Sequence, residues 1–281
     1  MSANSSTDAD RGSHGQFEED RLLQEIFGER AEGYCAEVGA YDGRTGSATY
    51  LFEQRGWHCL LVEPIPRLVE EIRKHRTGKV VNCAASDREG TARFLIAEHV
   101  EQMSTLERAP DHLAWIEQVG GAVRETTVRT ATLDSLLDEA AFPELQFVTI
   151  DVEGHELAVL KGFTLERYRP RIVIVEDNSE SGDPRASRGD PRVARHMAEH
   201  GYVPFRRTGV NEWYAHESDA ELVRLDGVRR YRRAKALRRW RRQGKFLVNR
   251  IATRVGAWLP VPVRRRVRQP FDRFRAKGSR P

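Results

Sequence analysis

The sequence predicts an α/β fold, a doubly wound and mostly parallel sheet closed by an antiparallel strand and followed by a basic helical extension. Three observations predict it. Short apolar runs alternate with stretches of helical period from Tyr34 to Val175, the pattern of strands joined by crossover helices. The first run, Tyr34 to Val38, breaks into a glycine-bearing turn, Gly39-Ala40-Tyr41-Asp42-Gly43, before the next helix. A later run, Phe147 to Ile150, passes straight into Asp151-Val152-Glu153-Gly154-His155-Glu156. Acids at the carboxyl end of a buried parallel strand stand where open α/β sheets bind their ligands.

Each element has its own warrant. Gln16 to Phe27 reads as a helix with Phe17, Leu22, Leu23, Ile26 and Phe27 on one face. After the Tyr34 strand, a helix from Thr45 to Gln54 is stopped by Gly56, and Cys59 to Val62 forms the second strand, closing on Glu63-Pro64. Pro66 opens a helix running to Lys74, since its fixed φ suits the first helical position. Val80 to Ala84 reads as a third strand. Arg93 to Ile96 and Thr126 to Thr130 read as added, partly exposed strands, with Glu98 to Gly121 a loop and helix insertion near the ligand edge. Thr132 caps a helix from Leu133, and Arg171 to Val175 is a strand ending on Glu176-Asp177-Asn178. Ser179 to Asp190 is a loop, Pro191 to His200 a helix, and Tyr202 to Phe205 with Asn211 to Ala215 a closing hairpin.

The chain has 281 residues, 39% hydrophobic and 31% charged, with a net charge of +4. That balance conceals an asymmetry: residues 224–281 hold 21 Lys and Arg against two acids, so the part before them is acidic. The organisation expected is a disordered leader over 1–15, one domain over 16–220 and a basic tail over 221–281. Arginines and interleaved aromatics in the tail suit an anionic membrane surface, a docking protein or, less well, nucleic acid. With no long apolar run and no signal peptide, the expected place is the cytoplasm, with the tail on the inner membrane face. Cys35, Cys59 and Cys83 lack ligand spacing and read as small buried hydrophobes.

Glu37 opens the first turn, which is not G-x-G-x-x-G, so a pyrophosphate is disfavoured and a cationic ligand favoured. Gly39 and Gly43 let the backbone pass close to a flat ligand. Glu63, ending the second strand, can accept hydrogen bonds from ribose hydroxyls. An acidic turn, no phosphate grip and a ribose acid together point to S-adenosylmethionine.

The segments Cys35-Ala36-Glu37-Val38-Gly39-Ala40, Val62-Glu63-Pro64, Ala84-Ala85-Ser86-Asp87, Thr132-Leu133-Asp134 and Ile150-Asp151-Val152-Glu153-Gly154-His155-Glu156-Leu157, with Leu160-Lys161-Gly162, resemble the FkbM-type methyltransferases. The likeness runs from Tyr34 to Tyr214 with the motifs in order, and departs from the usual pattern at Tyr41-Asp42. It implies a Rossmann-like class I methyltransferase fold and S-adenosylmethionine as cofactor. By the same resemblance Glu37 and Gly39 flank the methionine moiety, Glu63 holds the ribose, and Ser86 and Asp87 lie near the adenine. Tyr41 and Gly43, within the donor turn, are counted with the cofactor-binding residues.

Methyl transfer is an in-line displacement, so the protein must position its reactants and help remove the acceptor's proton. Asp151, Glu153 and His155 are the catalytic candidates, with His155 a possible base. Asp151, Asp177 and Asn178, ending two neighbouring strands, form a candidate magnesium site of hard oxygens. That arrangement is similar to the metal site of catechol O-methyltransferase-like enzymes. The chain has no Asn-Pro-Pro-Tyr and no Pro-Cys after the Ile150 strand, so an oxygen acceptor is expected, a hydroxyl of a glycan, polyketide or related metabolite. A nucleic-acid methyltransferase recruited by the tail and a non-catalytic tethering module stay as alternatives.

Overall fold

The computed structural model describes residues 13–28, 30–106, 110–118, 120–177, 190–219 and 221–223. The expected tail helix, Asn178 and nearly all of the Ser179 to Asp190 loop lie outside the described residues. No helix among the described residues is long and apolar enough to cross a membrane.

The chain begins with α1 (Glu19–Phe27), β1 (Tyr34–Val38), α2 (Tyr50–Glu53), β2 (His58–Val62) and α3 (Pro66–His75). Then come β3 (Lys79–Val81), β4 (Ala84–Ala85), β5 (Gly90–Glu98), α4 (Pro110–Gln118), β6 (Ala122–Ala131) and α5 (Leu133–Glu139). It continues through β7 (Phe147–Ile150), α6 (Glu156–Lys161), α7 (Leu165–Tyr168), β8 (Ile172–Glu176) and α8 (Pro191–Glu199) to the hairpin β9 (Tyr202–Thr208) and β10 (Asn211–His216). Seven strands form one sheet in the order β3-β2-β1-β7-β8-β10-β9. Pairing is parallel from β3 to β8 and antiparallel for β10 with β8 and β9. This is the predicted doubly wound sheet with its antiparallel closure. Its strand order reverses between β1 and β7, which makes that junction the switch point where ligands bind.

The central strands are buried on both faces, so they read as unbroken apolar runs. One face packs Val38, Leu60, Val148, Ile150 and Val173 under α5, α6 and α8. The other packs Cys35, Leu61, Phe147, Ile174 and Trp213 under α1 and α2. All three cysteines are buried free thiols, as expected.

Local chemistry moved several boundaries. The helix expected from Gln16 starts at Glu19, because Ser13 and the His14 amide bond to Asp20 and Gly15 bridges to Gly46. These contacts hold Ser13 to Gly15, and the rest of the expected leader, 1–12, lies outside the described residues. The helix expected from Thr45 shrinks to Tyr50–Glu53, because Asp42 takes the amides of Arg44 and Thr45 and holds that stretch as a turn. The expected third strand is divided at Asn82, whose amide nitrogen donates to the Glu63 and Pro64 carbonyls. Val80 and Val81 stay in the main sheet, while Ala84 and Ala85 join β6 and β5 in a second, three-stranded sheet. Thr132 caps α5 as expected, its hydroxyl accepting from the Ser135 amide at 3.2 Å.

Gly162, after α6, lies against the Ser86 carbonyl oxygen so closely that a Cβ would overlap it. Gly162→Ala must therefore separate α6 from the β4 end, at a cost of about 1–3 kcal/mol. Thermal and urea unfolding should show it as a clear loss of stability, and an unchanged midpoint would contradict this packing.

Candidate active site

The turn after β1 is held by two amides on one acceptor: Gly39 and Ala40 both donate to the Val62 carbonyl, at 3.0 and 3.1 Å. Gly39 has φ +85° and lies against the Asp151 carbonyl oxygen, leaving no room for any side chain. The Asp151 amide in turn donates to the Val38 carbonyl at 3.0 Å. The donor-side turn and the acidic loop after β7 thus touch through backbone alone. Tyr41, also at positive φ, gives its amide to Glu63 Oε2 at 3.0 Å, while the Ile65 amide donates to Glu63 Oε1 at 2.9 Å. Burial pushes the Glu63 carboxyl up to about 8, despite those two amides.

Glu37 is fully engaged. Its Oε2 accepts the Ser47 and Thr49 hydroxyls at 2.7 and 2.6 Å, and its Oε1 accepts the Ala48 amide at 3.0 Å. The buried Arg76 guanidinium lies 3.8 Å from the same carboxylate. Arg76 also donates to Glu53 at 2.8 Å and to the Thr49 hydroxyl at 2.9 Å. One arginine just after α3 therefore pairs with two buried acids and ties down the Gly43 to Thr49 loop. Removing one partner of such a group costs about 3–5 kcal/mol.

Beyond β7 the loop bends through Glu153 (φ +54°) and Gly154 (φ +102°). Glu156 secures it, its Oε1 accepting the Val152 and Gly154 amides at 3.2 and 3.0 Å. Burial raises the Glu156 carboxyl to about 7. Asp151, Glu153 and Glu176 converge, each offering an oxygen within 4.8 Å of the others. Burial raises both the Asp151 and Glu176 carboxyls, and the hydrogen bond between them raises Glu176 further while lowering Asp151. The expected partner Asp177 is not in this group. Strand alternation sends it to the opposite face, where its carboxylate meets Arg207 at 3.3 Å. Glu176, one residue earlier, takes the place expected of Asp177.

These elements surround a cavity of about 450 Å³ at the switch point. Glu37, Gly39, Tyr41, Glu63, Asp151, Glu153 and His155 all line it. Gly43 stands behind the wall, turning the chain against Ile72. Ser86 and Asp87 do not line it either: Ser86 meets His155 Nε2 at 3.0 Å, and Asp87 pairs with Arg88. Ser86 therefore orients the candidate base. Glu19 and Gln16 from the α1 end, Glu101, Thr149 and Glu176 also line the cavity and were not foreseen. For Glu176 the period of two along β8, continued from Ile174, was the available signal. Eight Asp and Glu side chains and no Lys or Arg line the cavity among the described residues.

The methyltransferase FkbM domain matches residues 37–204. The chain belongs to the FkbM methyltransferase family. It is thus an S-adenosylmethionine-dependent methyltransferase, and that cofactor is the ligand its family implies for the cavity. Among curated proteins, the hexuronic acid methyltransferase AglP of Haloferax volcanii is 44% identical over 50 residues, 18% of this chain and 21% of AglP. The chain thus matches about a fifth of that relative's length. Among solved structures, a TehB-like methyltransferase from Corynebacterium glutamicum aligns at 9% identity and TM-score 0.37, covering 70% of this chain and 86% of its own. The METTL16 methyltransferase domain aligns at 12% identity and TM-score 0.40, covering 72% and 67%.

Glu63 and Glu156 hold protons in the folded protein up to about pH 8 and pH 7, against an ordinary value of 4.5. The folded state thus binds more protons than the unfolded chain between these limits, and stability falls as pH rises from about 4.5 to 8. In Glu63→Gln that decline should flatten, with its largest relative gain near pH 8. Melting temperatures across the range test it, and parallel curves for the two proteins would refute the assignment.

Proposed function

We propose that this methyltransferase is O-directed, moving the methyl group of S-adenosylmethionine to a hydroxyl of a glycan, polyketide or related metabolite. The carrying observation is the acidic cavity lining, without Lys or Arg among the described residues. Such a wall favours a cationic sulfonium and repels an acceptor atom that is itself anionic. A neutral hydroxyl has no such penalty, but it must shed a proton as the O–CH3 bond forms and the S–CH3 bond breaks. Asp151, raised by burial above an ordinary carboxylate, is the better base for that proton, with Glu153 beside it. His155, held by Ser86, is the rival base.

Relationship to a hexuronic acid methyltransferase supports sugars as first substrates. A hexuronic acid offers both a hydroxyl and a carboxyl, and the acidic lining favours the hydroxyl. The assay is transfer of labelled methyl from S-adenosylmethionine to neutral sugars, hexuronic acids and hydroxylated polyketides, with and without EDTA. The expected product is a methyl ether that survives mild alkali, formed at least a hundredfold more slowly by Asp151→Asn. A product that mild alkali hydrolyses is an ester and sinks the O–H reading. Unchanged turnover in EDTA removes magnesium from the scheme.

A further inference from the structure

We propose that the hydroxyl of Thr149 binds the ammonium group at the aminoacyl end of the methyl donor, a proposal that rests on S-adenosylmethionine occupying the cavity. β7 is otherwise wholly apolar, Phe147, Val148 and Ile150, and all four of its residues are buried. Valine fills the space of threonine, so packing alone does not call for the hydroxyl. Yet Thr149 Oγ1 is buried with no hydrogen-bond partner, in a residue only 9% exposed. An orphaned hydroxyl of this kind costs about 1–3 kcal/mol in the ligand-free protein, and such groups call for an explanation.

The strand neighbours explain why no protein group satisfies it. Thr149 lies in register with Glu37 on β1 and Ile174 on β8. Ile174 offers nothing polar. Glu37 already receives Ser47, Thr49 and the Ala48 amide on its two oxygens. Thr149 lines the cavity with Oγ1 just beneath its surface, so a turn to another staggered χ1 rotamer brings the hydroxyl to what the cavity holds.

The two ends of the cavity indicate which part of the ligand arrives there. On the β2 side, Glu63 is flanked by Ile65, Ala84, Ala85, Phe94 and Leu106, a largely apolar slot whose acids are Glu63 and Glu101. On the β7 side the lining is polar, with Gln16, Glu19, Glu37, Asn211 and Thr149. A donor whose nucleoside is fixed at Glu63 must extend its aminoacyl arm across β1 toward Thr149. Glu37 beside Thr149, and Asp151 two residues along the same strand face, disfavour the arm's carboxylate and favour its ammonium. The hydroxyl accepts one N–H of that ammonium.

The test compares wild type with Thr149→Val and Thr149→Ser by calorimetric titration. The ligands are S-adenosylhomocysteine, its decarboxylated analogue, which keeps the amine, and 5′-methylthioadenosine, which lacks the whole arm. Thr149→Val should weaken the first two about 5- to 30-fold and leave the third unchanged, while Thr149→Ser stays near wild type. The ligand-free Thr149→Val protein should melt at or above the wild-type temperature. Equal affinity of Thr149→Val for S-adenosylhomocysteine overturns the proposal. So does an equal loss toward 5′-methylthioadenosine, or a lowered melting temperature, which would reveal a protein partner. Wild-type protein that binds none of the three ligands defeats the donor-site reading itself, and this proposal with it.

Discussion

The backbone of Gly39 rests on the carbonyl oxygen of Asp151, and the rest of the site depends on that approach. It occurs where the sheet's order reverses, so crossover helices leave in opposite directions and a cleft opens between them. Only glycine permits it, both for its positive φ and for the absent Cβ. Because Asp151 also donates to Val38, the ladder between β1 and β7 runs one residue past the strands. The turn on the donor side and the acids on the other are therefore positioned by one rigid backbone contact, and no flexible side chain intervenes.

Building the cleft from acids poses an electrostatic problem, since an ionised carboxylate removed from water costs several kcal/mol. The fold answers it differently at each acid. Glu37 has Arg76 and three hydrogen bonds. Glu63 has two amides and keeps its proton up to about pH 8. Asp151 and Glu176 share a hydrogen bond that raises Glu176 and lowers Asp151, against the burial that raises both. A sulfonium entering such a cleft adds favourable charge. Methyl transfer converts it to a neutral sulfide, so the attraction weakens after chemistry and the spent donor is easier to release.

Much of this was legible in the sequence, and the remainder shows why pattern reading stops. Strands buried on both faces announce themselves as apolar runs, so β1, β2, β7 and β8 were placed within a residue or two. The family motifs carried Glu37, Gly39, Glu63 and Asp151 into one cavity. Side-chain competition for backbone was harder to see: Asn82 divides a strand by binding the Glu63 and Pro64 carbonyls, and Asp42 delays a helix by binding amides. Asp177, expected at the site, turns away to Arg207 and leaves Glu176 there, because a strand's last side chain and the next residue point to opposite faces. Arg76 and Glu19 act through contacts distant in sequence, which no local pattern encodes.

We propose that one donor molecule spans the switch point, with its nucleoside at the Glu63 end and its sulfur facing Asp151. A crystal structure of the protein with S-adenosylhomocysteine measures this directly. Ribose hydroxyls should lie within hydrogen-bond distance of the Glu63 carboxyl, and the sulfur should point toward the loop that follows β7. A nucleoside seated away from Glu63, or a sulfur turned from the Asp151 side, would contradict it.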